Sequence, residues 1–184
     1  MTTSETIDVI ARRYACRSFQ DTPVPEEIVR AVAEAGVRAP SAINRQPWRL
    51  TVVTDKQDMA EIEQVGVESL RATDPAGYAR AENRGLRLLY NAAALIIVST
   101  EEMVSPYPVA MDAGIVASHL VLAATSLGLD TCVAAMPGAG LDDPVLKAKY
   151  LPQGFDFAIS VLLGYAATPG GTPHVPDFSK IVYA

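Results

Sequence analysis

The stretch that decides the fold reads VAMDAGIVASHLVLAATSLGL and covers residues 109–129. Its residues are apolar nearly all the way round a helix, whereas a helix at the surface keeps one polar face. The pattern therefore predicts a central helix that other elements surround. The rest of the sequence is placed around it.

Four short segments rich in apolar and β-branched residues predict strands at 49–55, 94–100, 131–137 and 157–166. A last segment, DFSKIVYA at 177–184, also resembles a strand but has no partner nearby in the sequence. A strand must pair somewhere, and one solution is the sheet of a second subunit, which would make the protein a dimer.

Helices are predicted around these strands. Ser4 can cap a helix at 5–13 with Ile7 and Ile10 on one face. Pro25 suits the first position of a second helix that ends near Gly36, and its apolar stripe is Ile28, Val32 and Ala35. Further helices are predicted at 55–72, 82–92 and 142–151. Together these elements predict a three-layer α+β sandwich, with helices on both faces of one sheet.

Length and charge narrow the class of protein. The 184 residues fit one domain, 1–184, and the formal net charge of −6 argues against a nucleic-acid or anionic-membrane binder, which needs a basic face. The N-terminus lacks the apolar core of a signal peptide, and the longest fully apolar run, at 92–98, is too short to span a bilayer. A cytoplasmic protein is expected.

The segment RRYACRSF, at 12–19, holds three arginines and no carboxylate in this acidic chain. Arginine binds phosphate well because its planar guanidinium group makes paired hydrogen bonds. Solvated arginines, or arginines at a helix C-terminus, are the alternative.

The segment APSAINRQPW, at 39–48, is a polar loop bracketed by two prolines. Ser41 and Asn44 can make turn bonds to nearby backbone. Alternatively, the prolines hold the backbone and Ser41 against a planar polar ligand.

The segment MPGAGLDD, at 136–143, has a Gly-x-Gly after a predicted strand, but Asp143 stands where a dinucleotide fingerprint has its third glycine. A loop whose backbone approaches a ligand remains compatible with it. Recognisable catalytic sets are missing: two histidines and two cysteines make no zinc motif, and there is no G-x-S-x-G. The chain offers binding groups but no evident catalytic residue or metal site, which is typical of an enzyme whose cofactor does the chemistry.

Four segments, taken in order along the chain, resemble the nitroreductase family of FMN-dependent oxidoreductases. They are RRYACRSF, APSAINRQPWRLTVV, DAGIVASHLVLAATSLGLDTC and VLLGYAATPGG. The P-S-x-x-N-x-Q-P-W pattern is the most specific of these motifs. The resemblance implies an α+β homodimer with exchanged C-terminal segments and FMN at the dimer interface. It also implies NAD(P)H as electron donor, an electron-poor acceptor such as a nitroaromatic or quinone, and ping-pong kinetics.

The resemblance also implies where FMN is held. The residues at the phosphate, ribityl chain and pyrimidine edge would be Arg13, Tyr14, Ala15 and Arg17, with Arg13 nearest the phosphate. The partner chain would cover the flavin with Pro40, Ser41, Ala42 and Asn44. The loop facing the isoalloxazine would be Ala134, Ala135, Met136, Pro137 and Gly138. His174 would lie near a second phosphate contact.

Two departures from the family pattern predict modest FMN affinity: Ala15 replaces a usual serine, and His174 replaces a usual arginine. Asn83, Arg84 and Arg87 are candidate flavin contacts, or a solvated helix face. The alternatives for function are a specialised family member, such as a dehalogenase or dehydrogenase, and a non-catalytic flavin-binding protein.

Overall fold

The computed structural model describes residues 4–83, 85–101 and 109–183. At its centre is a four-stranded sheet in the order β1-β2-β4-β3, with neighbouring strands antiparallel. The strands are β1 Trp48–Val53, β2 Ala94–Glu101, β3 Asp130–Ala134 and β4 Phe155–Gly164. All four predicted strands are present, with slightly displaced ends.

Helices cover both faces of the sheet. They are α1 Glu5–Arg12, α2 Glu26–Gly36, α3 Lys56–Thr73, α4 Pro75–Glu82, α5 Val109–Ser126, α6 Gly138–Leu141 and α7 Pro144–Tyr150. Single 3-10 turns lie at Ala42–Asn44 and Phe178–Lys180.

Strand β2 shows how the three layers are built, because alternate side chains of a strand point to opposite faces. Leu95 and Ile97 join a buried cluster with residues of α3, α6 and α7, whereas Ile96 and Val98 join a second cluster with residues of α2 and α5. Both faces are therefore covered, which confirms the predicted α+β sandwich.

The predicted long apolar helix is present as α5, but other elements of the chain do not surround it as predicted. Its length and composition would suffice to cross a membrane, but eight of its residues are buried in the fold. They are Val109, Asp112, Ala113, Val116, Ala117, Leu120, Val121 and Ala124. Packing of this face on the sheet accounts for its own apolar residues but not for those of the opposite face, where Met111 is 65% exposed.

The first two helices begin and end close to their predicted bounds, but their buried residues differ in part. The Ser4 hydroxyl caps α1 by accepting from the Ile7 amide at 3.3 Å. Val9 is the buried residue of α1, while Ile7 and Ile10 are 49% and 53% exposed. In α2 the buried positions include Val29, which the predicted stripe omitted.

The predicted helix at 82–92 is wrong. The helix here is α4, which starts earlier because Pro75 occupies its first turn and Asp74 accepts from the Gly77 amide at 2.8 Å. Beyond it, Tyr90 and Asn91 have φ of 52° and 62°, which a right-handed helix excludes.

The predicted strand at 177–184 is also not present in the described part of the tail, which instead has the turn Phe178–Lys180. A strand needs a neighbouring backbone for its hydrogen bonds. Nothing in the described residues runs alongside the tail as such a neighbour, and Val182 and Tyr183 are 87% and 91% exposed.

Candidate functional site

The predicted arginine segment, residues 13–17, runs along the outer edge of β3. Ala15 pairs with Thr131 in a parallel bridge, and the Cys16 amide donates to the Thr131 carbonyl at 2.8 Å. Alternate side chains of this extended segment point in opposite directions. Cys16 is buried in the core, so Arg13 and Arg17 point away from it.

No carboxylate neutralises these two arginines in the described residues. None of the ion pairs there involves Arg13 or Arg17. Burial raises the pKa of the nearby Cys132 thiol, and the charges of Arg17 and Arg13 offset this only in part. Both guanidinium groups are therefore close to β3 and available to an anion.

Arg13 lines a groove of about 830 Å³ between α5 and the ends of β3 and β4, which we call the α5 groove. The α5 side of the groove is built largely from small residues, and a Cβ atom added at Gly114 would meet nothing within 4 Å. The sheet side includes the apolar residues Val133, Phe157 and Ile159. The groove thus combines apolar walls with three charged residues, as small-molecule sites do. These are Arg13 and the carboxylates of Glu101 and Asp156, which are paired with Arg45 and Lys147.

The predicted loop at Ala134–Gly138, here the Ala134 loop, follows β3 directly. The fully buried Ser160 hydroxyl donates to the Ala134 carbonyl at 2.7 Å, and the Gly138 amide donates to the Ala135 carbonyl at 3.0 Å. Gly138 packs on Phe157, since a Cβ there would lie 2.6 Å from the ring. The position of the loop is therefore fixed from inside.

Two amides of the Ala134 loop remain without a backbone acceptor in the described residues, those of Ala135 and Met136. Both residues are exposed. Pro137, which follows, has no amide hydrogen to donate. The loop therefore presents two adjacent N–H donors at the surface, a suitable arrangement for a polar ring edge.

The predicted loop at 40–47, here the Pro40 loop, is strained. Ile43, Asn44 and Gln46 have φ of 49°, 58° and 51°, the left-handed region that β-branched and bulky residues avoid. The Ser41 hydroxyl accepts from the Gln46 amide at 2.9 Å, which confirms its predicted turn bond, while Asn44 accepts from the Gln46 side chain at 3.1 Å. Ile43 is 76% exposed, so the strain does not serve burial within this chain.

The two loops lie at the same end of the sheet but at opposite edges. The Pro40 loop precedes β1, the Ala134 loop follows β3, and β2 and β4 lie between these strands. Three strand spacings amount to about 14 Å. One chain therefore does not bring Ser41 next to the Ala134 loop.

Tyr14 lines a second depression of about 590 Å³ together with Arg13 and Asp130, whereas the predicted phosphate contact His174 does not line it. The Tyr14 ring packs against Gly171, since a Cβ there would lie 1.9 Å from it. Burial and the neighbouring Asp130 carboxylate raise the pKa of the Tyr14 hydroxyl. His174 is exposed, three residues beyond Gly171.

Sequence reasoning missed several residues that shape this region. Ser160 interrupts the apolar run at 157–164 and could have been noticed as a buried polar group with a specific partner. The small residues at helical spacing in α5 could have predicted a groove. Of the candidate contacts Asn83, Arg84 and Arg87, Arg84 lies outside the described residues, and the other two line neither the α5 groove nor the second depression.

Comparison with known proteins identifies the class of this fold and site. The model of the Nitroreductase family matches residues 10–165. The chain belongs to the nitroreductase family. In the described residues no group of three or more histidine, cysteine or acidic side chains could hold a metal ion.

Two solved structures resemble the whole chain. A nitroreductase with bound FMN from Desulfitobacterium hafniense DCB-2 is 39% identical, with a TM-score of 0.90 and 100% of both chains covered. A nitroreductase with bound FMN from Bacteroides fragilis NCTC 9343 is 26% identical, with a TM-score of 0.86 and 99% and 100% covered. A curated relative from Methanothermobacter thermautotrophicus is 25% identical over 180 residues, 96% of this chain and 85% of that protein, and its name includes NAD(P)H nitroreductase.

Proposed function

We propose that the chain is an FMN-dependent oxidoreductase that takes reducing equivalents from NAD(P)H and passes them to an electron-poor small molecule such as a nitroaromatic or quinone. The observation that carries the proposal is the pair of unneutralised arginines, Arg13 and Arg17, on the segment that borders the α5 groove. Relatives that match the full chain bind FMN, an anion with a planar ring.

The residues present fit this cofactor. Arg13 is placed to bind the phosphate, since a guanidinium group makes paired bonds to phosphate oxygens. Arg17, four residues along the same extended segment, would stabilise negative charge at the polar edge of the ring. The free amides of Ala135 and Met136 would donate to that ring.

When bound, FMN supplies the hydride chemistry, for which the described side chains offer no substitute. The chain's own contribution is to bind and orient: cations at one end, apolar walls, and N–H donors on a loop fixed by Ser160. We expect ping-pong kinetics, because donor and acceptor would use the same face of the groove in turn.

We further propose that the working form is a cytoplasmic homodimer in which C-terminal segments are exchanged. The Pro40 loop is about 14 Å from the Ala134 loop in one chain, so a second copy would have to bring them together. The tail leaves Val175, Phe178 and Tyr183 between 73% and 91% exposed, and among the described strands β1 pairs with β2 alone. Large exposed apolar side chains and an open strand edge each favour an intermolecular contact.

The cofactor proposal is tested with the variants Arg13→Ala and Arg17→Ala, purified in parallel with wild type. We expect both to lose at least tenfold in FMN affinity, about 1.4 kcal/mol, because each removes a charged hydrogen-bond donor. Arg30→Ala is the matched control, since Arg30 is an exposed arginine of α2 paired with Glu26. Wild-type flavin content in both Arg13 and Arg17 variants would refute the assignment.

The catalytic part is tested separately by absorbance. The purified, FMN-loaded protein should be yellow and should bleach anaerobically with NADH or NADPH, then recover its colour when nitrobenzene or a benzoquinone is added. A protein that binds FMN but does not bleach with either nicotinamide would instead be a non-catalytic flavin-binding protein. Ala15 and His174, which depart from the family pattern, are the features that favour this alternative.

A further inference from the structure

The two cysteines of the chain face each other across the pairing of the arginine segment with β3. The bridge joins Ala15 to Thr131, and the Cys16 amide bonds to the Thr131 carbonyl. The next residue on each side of this parallel pair is Cys16 and Cys132. Both side chains belong to the same buried cluster, so they point to the same side.

This placement suits a disulfide. Neighbouring strands lie about 4.8 Å apart, and disulfides join residues whose Cα atoms are about 4.4–6.8 Å apart. At present the Cys16 thiol donates to the Ser18 carbonyl at 3.2 Å and the Cys132 thiol donates to the Val133 carbonyl at 3.6 Å. Forming the disulfide therefore requires both thiols to leave these acceptors. The chain contains no other cysteine.

We propose that Cys16 and Cys132 form a site of reversible oxidation, at which a peroxide converts two thiols to one intramolecular disulfide. One thiolate attacks a peroxide oxygen and becomes a sulfenic acid, releasing water when hydrogen peroxide is the oxidant. The second thiol attacks the sulfenic sulfur, the S–S bond forms, and a second water leaves. Two electrons pass from the sulfurs to the peroxide.

Formation of the disulfide would affect the edge between the arginine segment and β3. Cys16 lies between Arg13 and Arg17, so the disulfide would tie the segment carrying both arginines covalently to β3. In the reduced protein this edge is held by the bridge at Ala15 and the packing of Cys16. The oxidised form would keep the arginine segment in place during fluctuations that otherwise open the edge.

The rate of the reaction should depend on pH. Burial raises the pKa of both thiols, so thiolate is scarce near neutral pH. Oxidation should therefore be slow at pH 7 and accelerate as the pH rises. The small size of hydrogen peroxide suits a pair that is only 3% exposed.

The test treats the purified full-length protein with hydrogen peroxide, unfolds it, and alkylates any remaining thiols before mass measurement. We expect a loss of two hydrogens, no alkylation, full reversal by dithiothreitol, and a rise in Tm on the order of 5–10 °C for the oxidised form. Cys16→Ser and Cys132→Ser serve as matched variants, each with one thiol. They should show no intramolecular disulfide and no rise in Tm.

Two results would overturn the proposal. One is wild-type protein whose two thiols are still alkylated after prolonged peroxide treatment at pH 9. The other is independent oxidation of each cysteine to sulfinic acid, at the same rate in wild type and in the single variants. The readout does not use flavin, so it holds whether or not FMN binding is confirmed.

Discussion

Gly114 offers a substitution with opposite expected effects on stability and on cofactor binding. It lies in the interior of α5, faces the α5 groove, and has open space where a Cβ atom would be. In the free chain an alanine would therefore clash with nothing. In the proposed complex, any side chain at this position would occupy volume that the ligand needs.

The expected change in Tm follows from the helix propensity of glycine, and the expected change in FMN affinity follows from the space in the groove. Glycine in a helix interior is less stable than alanine by about 0.5–1 kcal/mol, so Gly114→Ala should raise Tm by about 1–4 °C for a chain of this size. Gly114→Leu should also keep the fold, because its side chain points into the groove and not into the core. It should weaken FMN binding at least tenfold, about 1.4 kcal/mol.

The assay is a pair of measurements on each variant: thermal unfolding of the flavin-free protein, and titration of FMN followed by fluorescence quenching. Met111→Leu is the control on the same helix, since Met111 is 65% exposed and does not line the groove. It should leave FMN affinity unchanged.

A stable Gly114→Leu protein that binds FMN as tightly as wild type would place the ligand elsewhere. A Gly114→Ala protein that is less stable than wild type when free of flavin would contradict the open space beside Gly114.

Three further predictions concern stability around the site. Ser160→Ala should lower the free energy of unfolding by about 1–3 kcal/mol and weaken FMN binding, because it removes the 2.7 Å bond to the Ala134 carbonyl. The control is Ser99→Ala, which loses a 3.3 Å bond from another fully buried serine. In FMN titrations of both variants, Ser99→Ala should keep the wild-type affinity. Gly140→Ala should destabilise by about 1–3 kcal/mol in chemical denaturation, since its Cβ would lie 2.4 Å from the Ile62 carbonyl oxygen, and an unchanged midpoint would contradict the close approach of α6 to α3. The hydrogen bond from Lys149 lowers the pKa of Asp58 in the folded protein. The Asp58 carboxylate therefore stabilises the fold at pH values above its pKa in the unfolded chain, about 3.9. This stabilisation is lost as the pH falls through the lower pKa of the folded state. Asp58→Asn should accordingly flatten the acid side of a plot of Tm against pH, and identical plots for the two proteins would refute the role of the pair.

Most of the fold could be predicted because the signals were local. The strands are apolar, β-branched and short, and α5 is apolar nearly all round, so periodicity and composition placed them. Ser4 predicted the start of α1 through its side-chain bond. The helix predicted at 82–92 is wrong because an apolar run there resembles a helix. The helix in this region begins earlier, at Pro75 with Asp74 as its cap. The leucines of the apolar run, Leu88 and Leu89, are buried but lie in a loop.

The site was less accessible to sequence reasoning because it depends on which strands become neighbours. Nothing local in RRYACRSF shows that it pairs with β3, which is over a hundred residues later and brings Cys16 beside Cys132. The strain of the Pro40 loop was equally hidden, since Ile43 in a left-handed conformation contradicts its own preference. Tertiary context outweighs local propensity at both places.

The distribution of charge bears on how an anionic ligand reaches the α5 groove. The chain carries a net charge of −6, which by itself repels anions such as FMN and NAD(P)H. Other arginines, such as Arg30 and Arg45, are paired with carboxylates, which cancels much of their field. In the described residues Arg13 and Arg17 have no such partner, whereas the two carboxylates that line the α5 groove, Glu101 and Asp156, are paired with Arg45 and Lys147. The two guanidinium groups should therefore attract anionic ligands to this groove, and the association should weaken as salt screens the two charges.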